Sequence, residues 1–184
     1  MIFRETTVAG AWVLVPERLA DERGFFARIW DGEELAERGL NHRLAQCSIA
    51  HTRKRGTLRG LHYQLPPSEE AKLVRCVAGR IFDVAVDLRR DSPTFMGWFG
   101  VELSADDRLA LYVPEGCAHG FLSLVDDTEV LYQISERHAP DAARGVRWDD
   151  PAFGISWPEP ILLVNERDRS FPDFQRSLVR GVAS

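Results

Sequence analysis

The run from Lys72 to Leu88, Lys-Leu-Val-Arg-Cys-Val-Ala-Gly-Arg-Ile-Phe-Asp-Val-Ala-Val-Asp-Leu, constrains this chain more than any other segment. Its β-branched side chains suit a pleated surface better than a helix. Ala78-Gly79-Arg80 interrupts it where a hairpin turn is predicted. Beyond the turn, Phe82, Val84 and Val86 alternate with Asp83, Ala85 and Asp87, the period of a half-buried strand. Further strands are predicted at Trp12–Val15, Phe25–Trp30, Leu44–His51, Thr57–Gln64, Trp98–Leu103, Ala110–Val113, Gly120–Leu124 and Glu129–Ser135. Short strands at this density point to a sandwich or barrel. One helix stands out, with Asp31 as N-cap, Glu33 and Glu34 in its first turn and Gly39 as its stop. The stretch from Pro140 to Pro160, with Trp148 and Trp157, reads as ordered loop. No repeat, low-complexity tract or linker divides the chain, so residues 1–184 are expected to form a single domain.

Charge narrows the partners. The formal net charge is −5, which argues against a dedicated nucleic-acid binder. An anionic ligand would therefore need a local cluster of arginines, because the overall field does not attract it. Cys47, Cys76 and Cys117 are few and far apart, as free thiols in a reducing compartment would be. The start Met1-Ile2-Phe3-Arg4-Glu5-Thr6 lacks the basic and apolar regions of a signal peptide, and no apolar run has the length of a membrane span. The expectation is a cytoplasmic enzyme or binding domain with no membrane partner.

Three segments carry candidate chemistry. In Gly56-Thr57-Leu58-Arg59-Gly60-Leu61-His62-Tyr63-Gln64, a guanidinium and an imidazole lie three residues apart on one predicted strand. Strict alternation sends Arg59 and His62 to opposite faces; they serve one site only if Gly60 marks a bulge or a close backbone approach. In Tyr112-Val113-Pro114-Glu115-Gly116-Cys117-Ala118-His119-Gly120-Phe121, a turn delivers His119 to the start of a strand, where barrel rims place ligand-binding groups. In Asp21-Glu22-Arg23-Gly24-Phe25-Phe26-Ala27-Arg28, arginines beside aromatics could hold phosphate and stack a base, or could equally be an ordinary edge strand. Tyr132 sits where a strand usually uses tyrosine for packing, and Asp168 lies in Asn165-Glu166-Arg167-Asp168-Arg169, by itself a solvated charge run. His42, His51, His62 and His138 lack companions at ligand spacing, so no metal site is expected.

Taken together, these segments closely resemble the dTDP-4-dehydrorhamnose 3,5-epimerase family from about Arg4 to Phe174. The most specific landmarks are Leu-Arg-Gly-Leu-His-Tyr-Gln (58–64) and Pro-Glu-Gly-Cys-Ala-His-Gly-Phe (114–121). The resemblance implies a mainly β, cupin-type jelly-roll barrel with few short helices, a homodimer with exchanged strands, and no cofactor. It implies a nucleotide-diphosphate sugar as substrate, a 4-keto-6-deoxy sugar inverted at C3, C5 or both. By this resemblance His62 is the base, Asp168 its partner, Tyr132 the proton donor and Lys72 the cation that stabilises the enolate. Arg23, Arg59, Gln46 and His119 match positions that hold diphosphate and sugar, Arg167 lies near the nucleotide, and Phe26 belongs to the same binding surround.

The chain departs from the family pattern around the nucleotide and sugar. His138 stands where a tyrosine usually stacks on the base, Arg28 and Ala143 replace glutamates, and Ser48 replaces an asparagine. Two other classes compete with the epimerase: a ketoisomerase acting on related nucleotide sugars, and a cupin that binds the nucleotide sugar without catalysis.

Overall fold

Gly79 turns the chain, but it makes no hairpin. In the computed structural model, which describes residues 1–174, β7 (Lys72–Ala78) and β8 (Arg80–Asp87) belong to different sheets. Gly79 has φ +76°, and a side chain there would meet Thr128 Oγ1 at 2.8 Å and Val125 Cγ2 at 2.9 Å. So tight a corner between two layers needs glycine, and the two arms then face each other across the core instead of pairing.

Two antiparallel layers result. The first sheet runs β1 (Ile2–Glu5), β2 (Trp12–Val15), β10 (Ala110–Val113), β7, β12 (Thr128–Ile134), β5 (Gln46–Thr52). The second runs β13 (Ala143–Gly145), β6 (Thr57–Gln64), β11 (Cys117–Ser123), β8, β9 (Trp98–Ser104), and β14 (Leu163–Val164) adds parallel to β6. This is the expected jelly-roll arrangement. A separate ribbon of β3 (Arg18–Asp21) and β4 (Gly24–Ala27) pairs with neither sheet. The predicted strand at Phe25–Trp30 therefore ends early, at Ala27.

The interior between the sheets is filled by Val74 and Cys76 from β7, Ile81 and Ala85 from β8, and Leu111, Phe121 and Val130. The half-buried reading of β8 fails, because both its faces are covered. Val84 and Val86 pack beneath Val146, Phe153, Trp157 and Phe174 of the C-terminal segment, which folds over the outer side of the second sheet. Asp83 and Asp87 share the opposite face with Ile81 and Ala85, which enter the interior, and both are fully buried. The outer side of the first sheet is covered in part by α1 (Gly32–Ala36), whose Leu35 packs on Leu14, Leu73 and Tyr112. Asp31 caps that helix as predicted, accepting from the Glu33 and Glu34 amides at 3.0 and 3.3 Å. The short strands β1, β3, β13 and β14 escape sequence reading because they lack a buried period; β3 is exposed throughout.

All three cysteines are free, and burial pushes the Cys76 and Cys117 thiols up to about 11 and about 12. No helix among the described residues is long and apolar enough to cross a membrane.

Asp87 ties the end of β8 to the loop that follows. It accepts from Arg89 Nε at 2.8 Å, Ser92 Oγ at 2.5 Å and Thr94 Oγ1 at 2.6 Å. Burial pushes this carboxyl up, but the bonds from Arg89, Ser92 and Thr94 outweigh it and hold the group below its ordinary value. Stability from a depressed carboxyl is present above its unfolded value of about 4 and is lost as pH falls through the folded one. Asp87→Asn is expected to cost about 2–3 kcal/mol at neutral pH and to flatten the acid limb of the stability curve. Urea unfolding of both proteins between about pH 3 and pH 7 checks this.

Candidate active site

A bulge in β6 builds the site. His62 pairs with His119 and Arg59 with Phe121, so three steps along β6 match two along β11. Gly60 accommodates the extra residue with φ +131°, lying so close to β11 that a Cβ would come within 2.5 Å of the Gly120 Cα. Strict alternation is thereby broken, and Arg59 and His62 line the same cavity.

That cavity, about 240 Å³, opens between the two sheets. Of the residues singled out in the sequence, Gln46, Ser48, Arg59, His62, Lys72, His119, Tyr132, His138, Ala143 and Arg167 line it. Asp168 lies directly behind His62, its Oδ1 2.7 Å from His62 Nε2, while its Oδ2 accepts from the Gly60 amide at 3.1 Å. The charge run is therefore not solvated throughout. Asn165 caps the single-turn helix α2 (Glu166–Arg169), which turns Asp168 fully inward. Burial pushes the Asp168 carboxyl up, but His62, the Gly60 amide and Arg167 outweigh it and keep it below the usual carboxylate range. An ionised Asp168 can only accept, so Nε2 carries a proton, and in the neutral imidazole Nδ1 then presents the lone pair.

A second imidazole–carboxylate pair lies deeper. His119 Nε2 is 2.7 Å from Asp83 Oδ1, both groups are buried, and Asp83 Oδ2 has no hydrogen-bond partner among the described residues. Burial pushes the Asp83 carboxyl up, opposed by His119 and Lys72. The Tyr132 ring meets His119 edge-on at 6.0 Å. Burial, and then the nearby Asp83 charge, push the Tyr132 phenol well above its ordinary value, so it stays protonated and able to donate. Lys72 Nζ donates to the His62 carbonyl at 3.1 Å and pairs with Glu70 Oε1 at 2.8 Å.

Arg23, Phe26 and Arg28 do not reach this cavity. They lie on or beside the isolated ribbon, where Arg23 pairs with Asp21, Arg28 pairs with Asp31, and Phe26 is 66% exposed. Sequence reading in turn overlooked Asp83, Glu70, Tyr63, Gln64, Ile134 and Arg144 as site residues. An aspartate inside a β-branched run was the available signal for Asp83, since a buried carboxylate needs a partner. Among the described residues no group of three or more His, Cys, Asp or Glu is arranged to hold a metal.

Comparison with known proteins agrees with this geometry. Residues 5–176 match the family profile described as dTDP-4-dehydrorhamnose 3,5-epimerase. The enzyme of that name from Methanothermobacter thermautotrophicus is 41% identical, covering 96% of each chain. The crystal structure of the Elizabethkingia anophelis NUHP1 enzyme superposes with a TM-score of 0.92 at 36% identity, covering 95% of this chain and 96% of that one. That of the Bacillus anthracis enzyme, with TDP and PPi bound, gives 0.89 at 39% identity, covering 94% and 99%. The fold is the cupin-type fold of these neighbours.

The bulge is open to direct test. Gly60→Ala would place a methyl group against the Gly120 backbone, which cannot yield, at a φ that L-residues rarely adopt. A loss of about 3 kcal/mol or more is expected in urea unfolding. Gly39→Ala, also at positive φ but with nothing within 4 Å, should cost only about 1 kcal/mol.

Proposed function

Because the chain belongs to the dTDP-4-dehydrorhamnose 3,5-epimerase family, and so to the isomerase class, we propose that its cavity inverts a nucleotide-linked 4-keto-6-deoxy sugar at the carbons beside the keto group. The observation that carries this reading is one cavity holding an oriented base, a protonated phenol and a cation: His62 on Asp168, Tyr132, and Lys72. The C4 carbonyl acidifies the hydrogens on C3 and C5. His62 Nδ1 removes one of them, and Asp168 stabilises the imidazolium that forms. Negative charge then gathers on the C4 oxygen, where the Lys72 ammonium stabilises it. Tyr132 returns a proton to the opposite face, and inversion results. Arg59 and Arg167 line the cavity and would hold the diphosphate, and no cofactor is invoked.

Incubation with dTDP-4-keto-6-deoxyglucose in deuterium oxide, followed by NMR, tests the class and the positions together. His62→Ala should abolish exchange at every position with nucleotide affinity nearly unchanged. Tyr132→Phe should still wash deuterium into the sugar, because His62 can return a proton on its own face. Its net inversion should fall by about two to four orders of magnitude. Inversion at the wild-type rate would remove Tyr132 from the mechanism, and movement of the keto group without exchange at C5 would point to a ketoisomerase.

We also propose a cytoplasmic homodimer in which the ribbon crosses to its partner. Leu19 and Phe26 on the ribbon are 71% and 66% exposed, and Ile49 on the edge strand β5 is 61% exposed. A second copy would cover this apolar surface and receive Arg23, Phe26 and Arg28 at its own cavity. Neither Arg23→Ala nor His62→Ala subunits should turn over alone. Mixed and refolded together, they should regain about a quarter of wild-type activity, since half the dimers then hold one complete site. No recovery would mean that each copy completes its own site.

A further inference from the structure

The Lys72 ammonium is bonded to one carboxylate and acts electrostatically on a second. Its Nζ pairs with Glu70 Oε1 at 2.8 Å, while the fully buried Asp83 also feels its charge and keeps Oδ2 without a partner among the described residues. The ammonium sits on a flexible four-carbon stem, so covalent geometry does not decide which carboxylate it approaches. The Lys72 and Glu70 side chains are only 9% and 11% exposed, so solvent screens the pair weakly. Glu70 precedes β7 in a loop and lines the same cavity as His62 and Tyr132. A carboxylate there is repelled by an anionic diphosphate and costs desolvation on burial, and what offsets this is an acceptor oxygen held 2.8 Å from Lys72 Nζ.

We propose that Glu70 is a positioning residue for Lys72. It anchors Nζ beside the His62 carbonyl and away from Asp83, so that the cation faces the oxygen that becomes charged. The inference rests on the epimerase reading, within which a preorganised cation is worth more than one that must move into place. What matters is the reach of the Glu70 oxygen rather than its charge.

Two variants separate reach from charge. Glu70→Gln keeps an acceptor at the same distance without the charge, and its kcat should stay within about threefold of wild type, with KM equal or lower. Glu70→Asp keeps the charge but withdraws it by one methylene, and its kcat should fall about tenfold or more with KM little changed. The reverse order, or two variants both at wild-type kcat, overturns the proposal. A crystal structure of Glu70→Asp provides a readout independent of turnover, with Lys72 Nζ expected to move toward Asp83 Oδ2; an unmoved Nζ also overturns it. A wild-type protein that exchanges no deuterium, combined with a displaced Nζ in the variant, would sink the epimerase reading and leave the positioning role standing.

Discussion

Gly60 lies so close to Gly120 that a methyl group on it would meet the facing Cα at 2.5 Å, and the geometry of the site follows from that backbone approach. The contact admits one extra residue into β6, which turns Arg59 and His62 onto the same side. It also frees the Gly60 amide to donate to Asp168, so the bulge that aims the imidazole helps hold the carboxylate behind it. α2 can then close over β6 with Asp168 buried, because both carboxylate oxygens find donors.

Around this scaffold, burial and neighbouring charge drive chemically similar groups apart. Asp168 and Asp83 each hold a histidine, yet the bonds to Asp168 keep its carboxyl below the ordinary range while burial pushes the Asp83 carboxyl up. The first environment suits a group that stabilises an imidazolium. The second raises the Tyr132 phenol and keeps it a donor. Opposite displacement of like groups behind the wall of one cavity is a usual route to distinct acid and base roles at a single pH. Lys72 lies between these environments, bonded to Glu70 at the cavity wall and within the field of Asp83 below.

The family resemblance and the alternating strands were both legible along the chain, and the observed strands at Trp12–Val15, Thr57–Gln64 and Ala110–Val113 match the predicted limits. Two local misreadings share one cause. β8 looked half-buried and Asp168 looked solvated because each was judged by its sequence neighbours, whereas residues far along the chain cover them: Val146 to Phe174 over β8, and Gly60 and His62 against Asp168. The expected hairpin at Gly79 failed in the same way, since a glycine turn is compatible with a hairpin or with a corner between layers, and only the strands that pair with each arm distinguish them.

By itself, then, the sequence determined most of the strands and the capped helix from Asp31, because alternation and capping are properties of neighbouring positions, and its motifs carried the family resemblance. Tertiary structure decided which of those residues meet. It joined His62 to Asp168 across 106 positions and His119 to Asp83 across 36, and it left Arg23, Phe26 and Arg28 outside the cavity on a ribbon that pairs with neither sheet. The physical reason is that a hydrogen bond or a buried carboxylate is set by distance and solvent access. Neither exists until the sheets have closed on each other and the C-terminal segment has covered the second.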